Sequence, residues 1–127
     1  MTTFPYKQNS KGDLFPVIDL YIAYKKGFER TYALIDSGAT ISIFTQDIAQ
    51  RLGLPINKGE ETFLGGVGGR IKGYIHKMKV ILANQNLIIP VVFSYEYTVS
   101  FNLLGREGVF KNFKITFYEK NYLVKLE

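Results

Sequence analysis

The residues best suited to chemistry stand together in Ala33-Leu34-Ile35-Asp36-Ser37-Gly38-Ala39-Thr40, where an apolar run stops at a carboxylate and then turns on a glycine. Strand interiors avoid both Asp and Gly, so the two together mark a strand end. A carboxylate presented there can act as a general acid or base. Ser37 adds a hydroxyl that can donate beside it, and Gly38, with no side chain, lets another backbone approach closely. The same three residues are also ordinary turn chemistry, an Asx turn that ends a strand. The choice between the two readings rests on what the rest of the chain supplies.

The elements that must position Asp36 read mainly as strands. Val17-Ile18-Asp19-Leu20-Tyr21-Ile22-Ala23-Tyr24 is a strand that turns at Lys25-Lys26-Gly27, and residues 30–35 return to deliver Asp36. Ile41-Ser42-Ile43-Phe44 alternates with the two-residue period of a half-buried strand. A short helix follows, capped by Thr45, with Asp47 in its first turn, Ile48 and Leu52 on one face, and Gly53 and Pro55 at its stop. Residues 61–74 place Gly65, Gly66, Gly68 and Gly69 around Val67 between strand-like flanks, the composition of a long hairpin with a mobile tip. A phosphate-cradling loop is the rival reading there, but the spacing fits neither G-x-G-x-x-G nor G-x-x-x-x-G-K-[ST] and no helix follows.

Further on, residues 74–82 continue as a strand with His76, Met78, Val80 and Leu82 on one face and Lys77 and Lys79 on the other. His76 is the only histidine and the chain has no cysteine, so it reads as a packed or edge residue rather than a metal ligand. Residues 87–93 form another strand, in which Pro90 suggests an edge or a bulge. Residues 95–100 read as a strand or an aromatic loop with no clear place in the order. Phe101-Asn102-Leu103-Leu104-Gly105-Arg106 then repeats the opening shape, an apolar strand halted by glycine. A second short helix over 107–113 and strands over 114–118 and 122–126 complete the chain. The sum is a mostly β, single domain spanning 1–127 with an extended arm over 1–15 and two short helices, consistent with a small closed barrel.

Composition narrows the function. A chain of 127 residues can bury a core without disulfides or a cysteine-held metal. Met1 to Tyr6 lacks the basic and apolar regions of a signal peptide, and the run from Leu87 to Phe93 is too short to cross a bilayer, so the expectation is a cytoplasmic protein with no membrane contact. The net charge of +5 and the nine tyrosines and ten phenylalanines allow a nucleic-acid-binding barrel. Against it, the basic residues are scattered singly or as the pair Lys25-Lys26, which reads as solvated surface with no nucleic-acid partner.

Three motifs, in order and in spacing, resemble the retropepsin-like aspartic proteases, the family of the retroviral proteases and their cellular relatives. Leu34-Ile35-Asp36-Ser37-Gly38-Ala39 is similar to the catalytic loop of that family, residues 63–71 to its glycine-rich flap, and Leu103-Leu104-Gly105-Arg106 to the segment that packs beneath the catalytic loop. The resemblance covers about residues 16–113. It implies a small closed β-barrel of the acid protease type with a β-hairpin flap over 61–74. Thr40 and Ile41 stand where viral members often carry acidic residues, so Arg106 should lack its usual partner.

The same resemblance implies an aspartic endopeptidase with no cofactor and no metal. Such an enzyme needs two carboxylates around one water, and the chain carries one D-[ST]-G, so two copies must meet in a homodimer with Asp36 facing its twin. Ser37 would bond across the axis, and Gly38 would leave room for the backbone of an extended peptide or protein substrate. Leu34, Ala39, Leu64, Gly65, Gly66, Val67, Phe101 and Leu103 would bind that substrate, the larger apolar ones lining its pockets. For Phe101 and Leu103 plain packing is an equal alternative. The rival of another class keeps the fold and drops the chemistry, as a catalytically silent dimerisation or peptide-binding module.

Overall fold

Strands rich in β-branched and aromatic residues, with side chains alternating between core and solvent, build most of the molecule. The computed structural model describes residues 1–66 and 68–127. Its strands are β1 (Thr2–Pro5), β2 (Lys7–Gln8), β3 (Leu14–Phe15), β4 (Val17–Tyr24), β5 (Gly27–Ile35), β6 (Ser42–Phe44), β7 (Glu60–Gly66), β8 (Gly69–Leu82), β9 (Gln85–Phe93), β10 (Asn102–Leu104), β11 (Ile115–Tyr118) and β12 (Leu123–Leu126). One α-helix, α1 (Gln46–Leu52), follows β6. Among the described residues no helix is long and apolar enough to cross a membrane.

The main sheet runs β4-β5-β10-β6-β9-β8-β7, and β8 also pairs with β4 through Tyr21↔Ile81 to Ala23↔Lys79, so the pairings return to their starting strand. Two of them are parallel, β5 with β10 and β6 with β9; the others are antiparallel. The inward faces of β4, β5, β8 and β9 contribute Ile18, Leu20, Ile22, Ile35, Met78, Val80, Leu82, Ile89 and Val91, all buried, around Phe44 and Phe93, whose rings meet edge to face with centroids 6.4 Å apart. His76 packs into this frame as a polar wedge: its Nε2 lies 2.8 Å from the Ile56 carbonyl and its ring edge meets Phe93.

Three local features differ from the sequence reading, each for a physical reason. Pro90 lies on β9, an interior strand rather than an edge. The parallel pairing to β6 starts only at Val91, so the missing N–H of Pro90 costs no ladder bond on that side. Residues 107–113 make a three-residue 3₁₀ turn, Phe110–Asn112, instead of an α-helix. Gly108 has φ +76° just before it, a left-handed conformation that breaks helical continuation. Thr45 does stand at the N-cap of α1, but its hydroxyl bonds the Asp47 carboxylate rather than a helix N–H.

The expected arm is also part of a sheet. β1 pairs antiparallel with β12, and β12 with β11, so the first and last strands share a second, three-stranded sheet. Tyr6, buried at 7 % exposure, fastens it: its hydroxyl donates to Glu119 Oε1 at 2.8 Å and its ring meets Tyr122 edge-on. Burial first, and then the Glu119 carboxylate, push the Tyr6 phenol from 10.0 up to about 12. A raised acid favours its neutral form in the fold, so this contribution is complete below pH 10 and is lost as pH climbs towards 12. Tyr6→Phe should therefore be less stable than the native chain by about 1–2 kcal/mol at pH 8, with the gap narrowing in urea melts as pH climbs from 10 towards 12. A gap that stays constant would show that the phenol does not titrate with the fold.

Candidate active site

Asp36 stands one residue past the end of β5, where the parallel partner β10 also ends. Its N–H donates to the Leu104 carbonyl at 3.0 Å, which extends the β5–β10 ladder by one bond and fixes the backbone beneath the carboxylate. The chain then folds back on itself. Gly38 N–H donates to Asp36 Oδ1 at 2.9 Å and Ala39 N–H to the Asp36 carbonyl at 3.2 Å, the Asx-type turn foreseen in Asp-Ser-Gly. A Cβ on Gly38 would lie 3.2 Å from Asp36 Oδ1, so a larger residue would crowd the carboxylate it supports.

The segment after β10 is bolted to the segment after the turn. Gly105 N–H donates to Ser42 Oγ at 3.0 Å, Arg106 N–H to the Ala39 carbonyl at 2.9 Å and Glu107 N–H to the Thr40 carbonyl at 2.8 Å. The two apolar-then-glycine motifs of the sequence are thus packed together, with β10 between β5 and β6. Among the described residues the Arg106 side chain makes no ion pair.

Side-chain alternation sorts the apolar candidates. Ala33, Ile35, Asn102 and Leu104 turn into the core, whereas Leu34 and Leu103, directly paired across β5 and β10, are half-buried on the opposite face. The two-residue period puts that face on the side of Asp36. Asp36 and Ala39 are half-buried, and Ser37 and Gly38 are exposed. Phe101, just before β10, is 49 % exposed, which rules out simple core packing for it.

Leu64 and Gly65 lie elsewhere, near the tip of the β7–β8 hairpin, paired with Ile71 and Arg70. Gly66 pairs with Gly69 at the turn, and Val67 lies outside the described residues. Among the described residues no strand pairing or hydrogen bond joins this tip to the Asp36 loop. A concavity of about 790 Å³ lies on the outer side of β4, β5, β8 and β9, lined by Tyr21, Phe28, Ile81, Leu87 and Ile88 among others, and includes none of the expected site residues.

Two residues escaped the sequence reading. Asn102, 5 % exposed, donates from Nδ2 to Thr31 Oγ1 at 3.0 Å and to the Tyr32 carbonyl at 2.8 Å, and its Oδ1 accepts from Thr45 N–H at 2.8 Å. One amide thereby joins β5, β10 and the start of α1. Asn102→Ala strands a buried N–H and carbonyl and should cost about 2–4 kcal/mol in chemical denaturation; a loss under about 1 kcal/mol would mean that water replaces the amide. Tyr97, in the stretch readable as either strand or aromatic loop, donates its hydroxyl to the Phe101 carbonyl at 2.9 Å. Its phenol is held above its ordinary value, first by burial and then by the negative charge of Asp36. The sequence signal for Asn102 was a polar residue inside an apolar strand; for Tyr97 there was none.

Against known proteins, the sequence matches the family model described as aspartyl protease over residues 25–107. No curated protein sequence matches it. In structure it is similar to a retropepsin-like aspartic protease from Rickettsia conorii, with a TM-score of 0.69 and 17% identity, covering 98% of this chain and 99% of that one. It is also similar to the EIAV protease complexed with the inhibitor HBY-793, with a TM-score of 0.56 and 21% identity, covering 72% of this chain and 82% of that one. At those identities the likeness is one of fold, mostly β and retropepsin-like.

Proposed function

The chain belongs to the aspartyl protease family, and from that premise we propose that it is an aspartic endopeptidase active as a homodimer, in which Asp36 of each copy shares one water. The seat of Asp36 carries the proposal. Its backbone is fixed on Leu104, one carboxylate oxygen accepts from Gly38 N–H, and the group is only half-buried at a strand end. Such a carboxylate is held in place yet open to a second chain and to water.

The mechanism needs two carboxyl groups in different protonation states. Two like charges a few ångströms apart cannot both ionise, and aspartic proteases are the standard instance of that effect. One ionised Asp36 takes a proton from the water as it attacks the scissile carbonyl, and the protonated Asp36 of the other copy gives its proton to the carbonyl oxygen. The chain has a single D-[ST]-G, so the second carboxylate comes from a second copy across a twofold axis. The exposed Ser37 hydroxyl would bond across that axis and hold the two loops in register.

Around this centre Gly38 leaves space for an extended peptide, whose backbone the hairpin over 61–74 would hold by strand-like hydrogen bonds. Leu34 and Leu103 on the Asp36 face, exposed Phe101, Ala39, and Leu64, Gly65, Gly66 and Val67 of the hairpin complete the proposed substrate-binding surface, which suits apolar side chains. Incubation with an unfolded protein at mildly acidic pH, native chain against Asp36→Ala, tests the reading. Fragments from the native chain alone are expected. Equal cleavage by both, or by neither, would favour a silent dimerisation or peptide-binding module.

A further inference from the structure

The root of the glycine-rich hairpin is held in an unusual way. β8 pairs with β9 only from Tyr74 onwards, so from Gly69 to Gly73 its one strand neighbour is β7. At Lys72, within that stretch, both backbone polar groups are nevertheless taken. The Lys72 N–H donates to Glu96 Oε2 at 3.3 Å, and the Lys72 carbonyl accepts from the hydroxyl of Ser94. Ser94 Oγ in turn accepts from Glu96 N–H at 3.0 Å, so the hydroxyl is committed in both directions. Ser94 is fully buried while Glu96 is exposed.

Gly73 marks the pivot. A Cβ there would lie 2.5 Å from Val92 Cγ1 and 3.5 Å from Ser94 Cβ, so the hairpin leaves the main sheet through a gap that admits only glycine. Ser94 and Glu96 belong to the same short segment as Tyr97, whose hydroxyl is on Phe101 and which senses the Asp36 charge. The tether of the hairpin thus runs directly, from Glu96 to its neighbour Tyr97, into the surroundings of the carboxylate.

We propose that Glu96 and Ser94 are positioning residues, which hold the hairpin root through the backbone of Lys72 and so set how the hairpin closes on substrate over Asp36. This rests on the protease reading for its kinetic consequence, though not for the tether itself. A hairpin untied at Lys72 would have to be ordered by the substrate at the moment of binding, which weakens binding more than it slows the chemical step.

Glu96 is the position to change, since Ser94→Ala would disturb a buried hydroxyl and the fold with it. In native-state hydrogen exchange followed by NMR, Glu96→Ala should speed exchange of the Lys72 amide about tenfold, whereas Glu96→Gln, which keeps a carbonyl acceptor, should leave it near native. With a peptide substrate, Glu96→Ala should raise KM several-fold with little change in kcat, and Glu96→Gln should restore it. Unchanged Lys72 exchange in Glu96→Ala would overturn the tether. Faster exchange with unchanged KM, or a KM that Glu96→Gln does not restore, would overturn the positioning role. A native chain without proteolytic activity would remove the protease reading and the positioning role with it, and the exchange rates would still decide the tether.

Discussion

Asp36→Asn is expected to abolish peptide-bond hydrolysis, lowering turnover on the order of 10⁴-fold or more, while the chain stays folded. The amide has nearly the shape of the carboxyl group, and its oxygen can still accept from Gly38 N–H, so the turn at 36–39 keeps its bonds. What is lost is the proton chemistry, since an amide neither takes the proton of the attacking water nor gives one to the carbonyl. The same substitution removes the repulsion between two facing carboxylates, so the Asp36→Asn dimer should be tighter than the native one at pH 8 in sedimentation equilibrium. A native-like dimer constant at that pH would mean that Asp36 does not meet its twin.

Gly105→Ala should be among the most damaging single methyl groups at the described glycines. A Cβ at residue 105 would lie 2.5 Å from the Ile41 carbon, 2.6 Å from its oxygen and 2.9 Å from its nitrogen, all backbone atoms that no rotamer change can clear. The segment 39–42 would have to move, and with it the bonds from Gly105, Arg106 and Glu107 that bind it beneath Asp36. The expected cost is about 3 kcal/mol or more, at the upper end for overpacking, read as a fall in the urea midpoint. Gly27→Ala is the control: its Cβ would make an ordinary contact, 3.6 Å from the Tyr24 carbonyl, and should shift the midpoint little. Equal shifts in the two variants would mean that the crossing at residues 41 and 105 is loose.

These two predictions rest on motifs that the sequence displays openly. The carboxylate at residue 36 and the glycine at residue 105 each interrupt an apolar strand, and the two-residue alternation over 74–82 announces β8 and its inward Met78, Val80 and Leu82. Local periodicity and breakers carry such features because they depend on near neighbours in sequence. Partners distant in sequence leave no such trace. The arm over 1–15 gave no sign that Thr2 would pair with Leu126, nor did β9 reveal that its second neighbour begins only after Pro90. Residues 95–100 have neither period nor a recognisable turn pattern, yet Glu96 within them and Ser94 just before them reach Lys72, 24 and 22 residues away in sequence, and Tyr97 reaches the field of Asp36. The helix expected over 107–113 failed on the left-handed Gly108, a backbone conformation that the residue type permits but does not demand.

Mixing native chain with Asp36→Asn at constant total concentration tests the shared site most directly, with specific activity followed as the native fraction falls. If each site needs one Asp36 from each of two copies and the subunits exchange freely, activity falls at least as steeply as the square of the native fraction, leaving about one quarter or less at an equal mixture. Activity that falls only in proportion to the native fraction, about one half at that mixture, would show that one chain carries a complete site and would contradict the account.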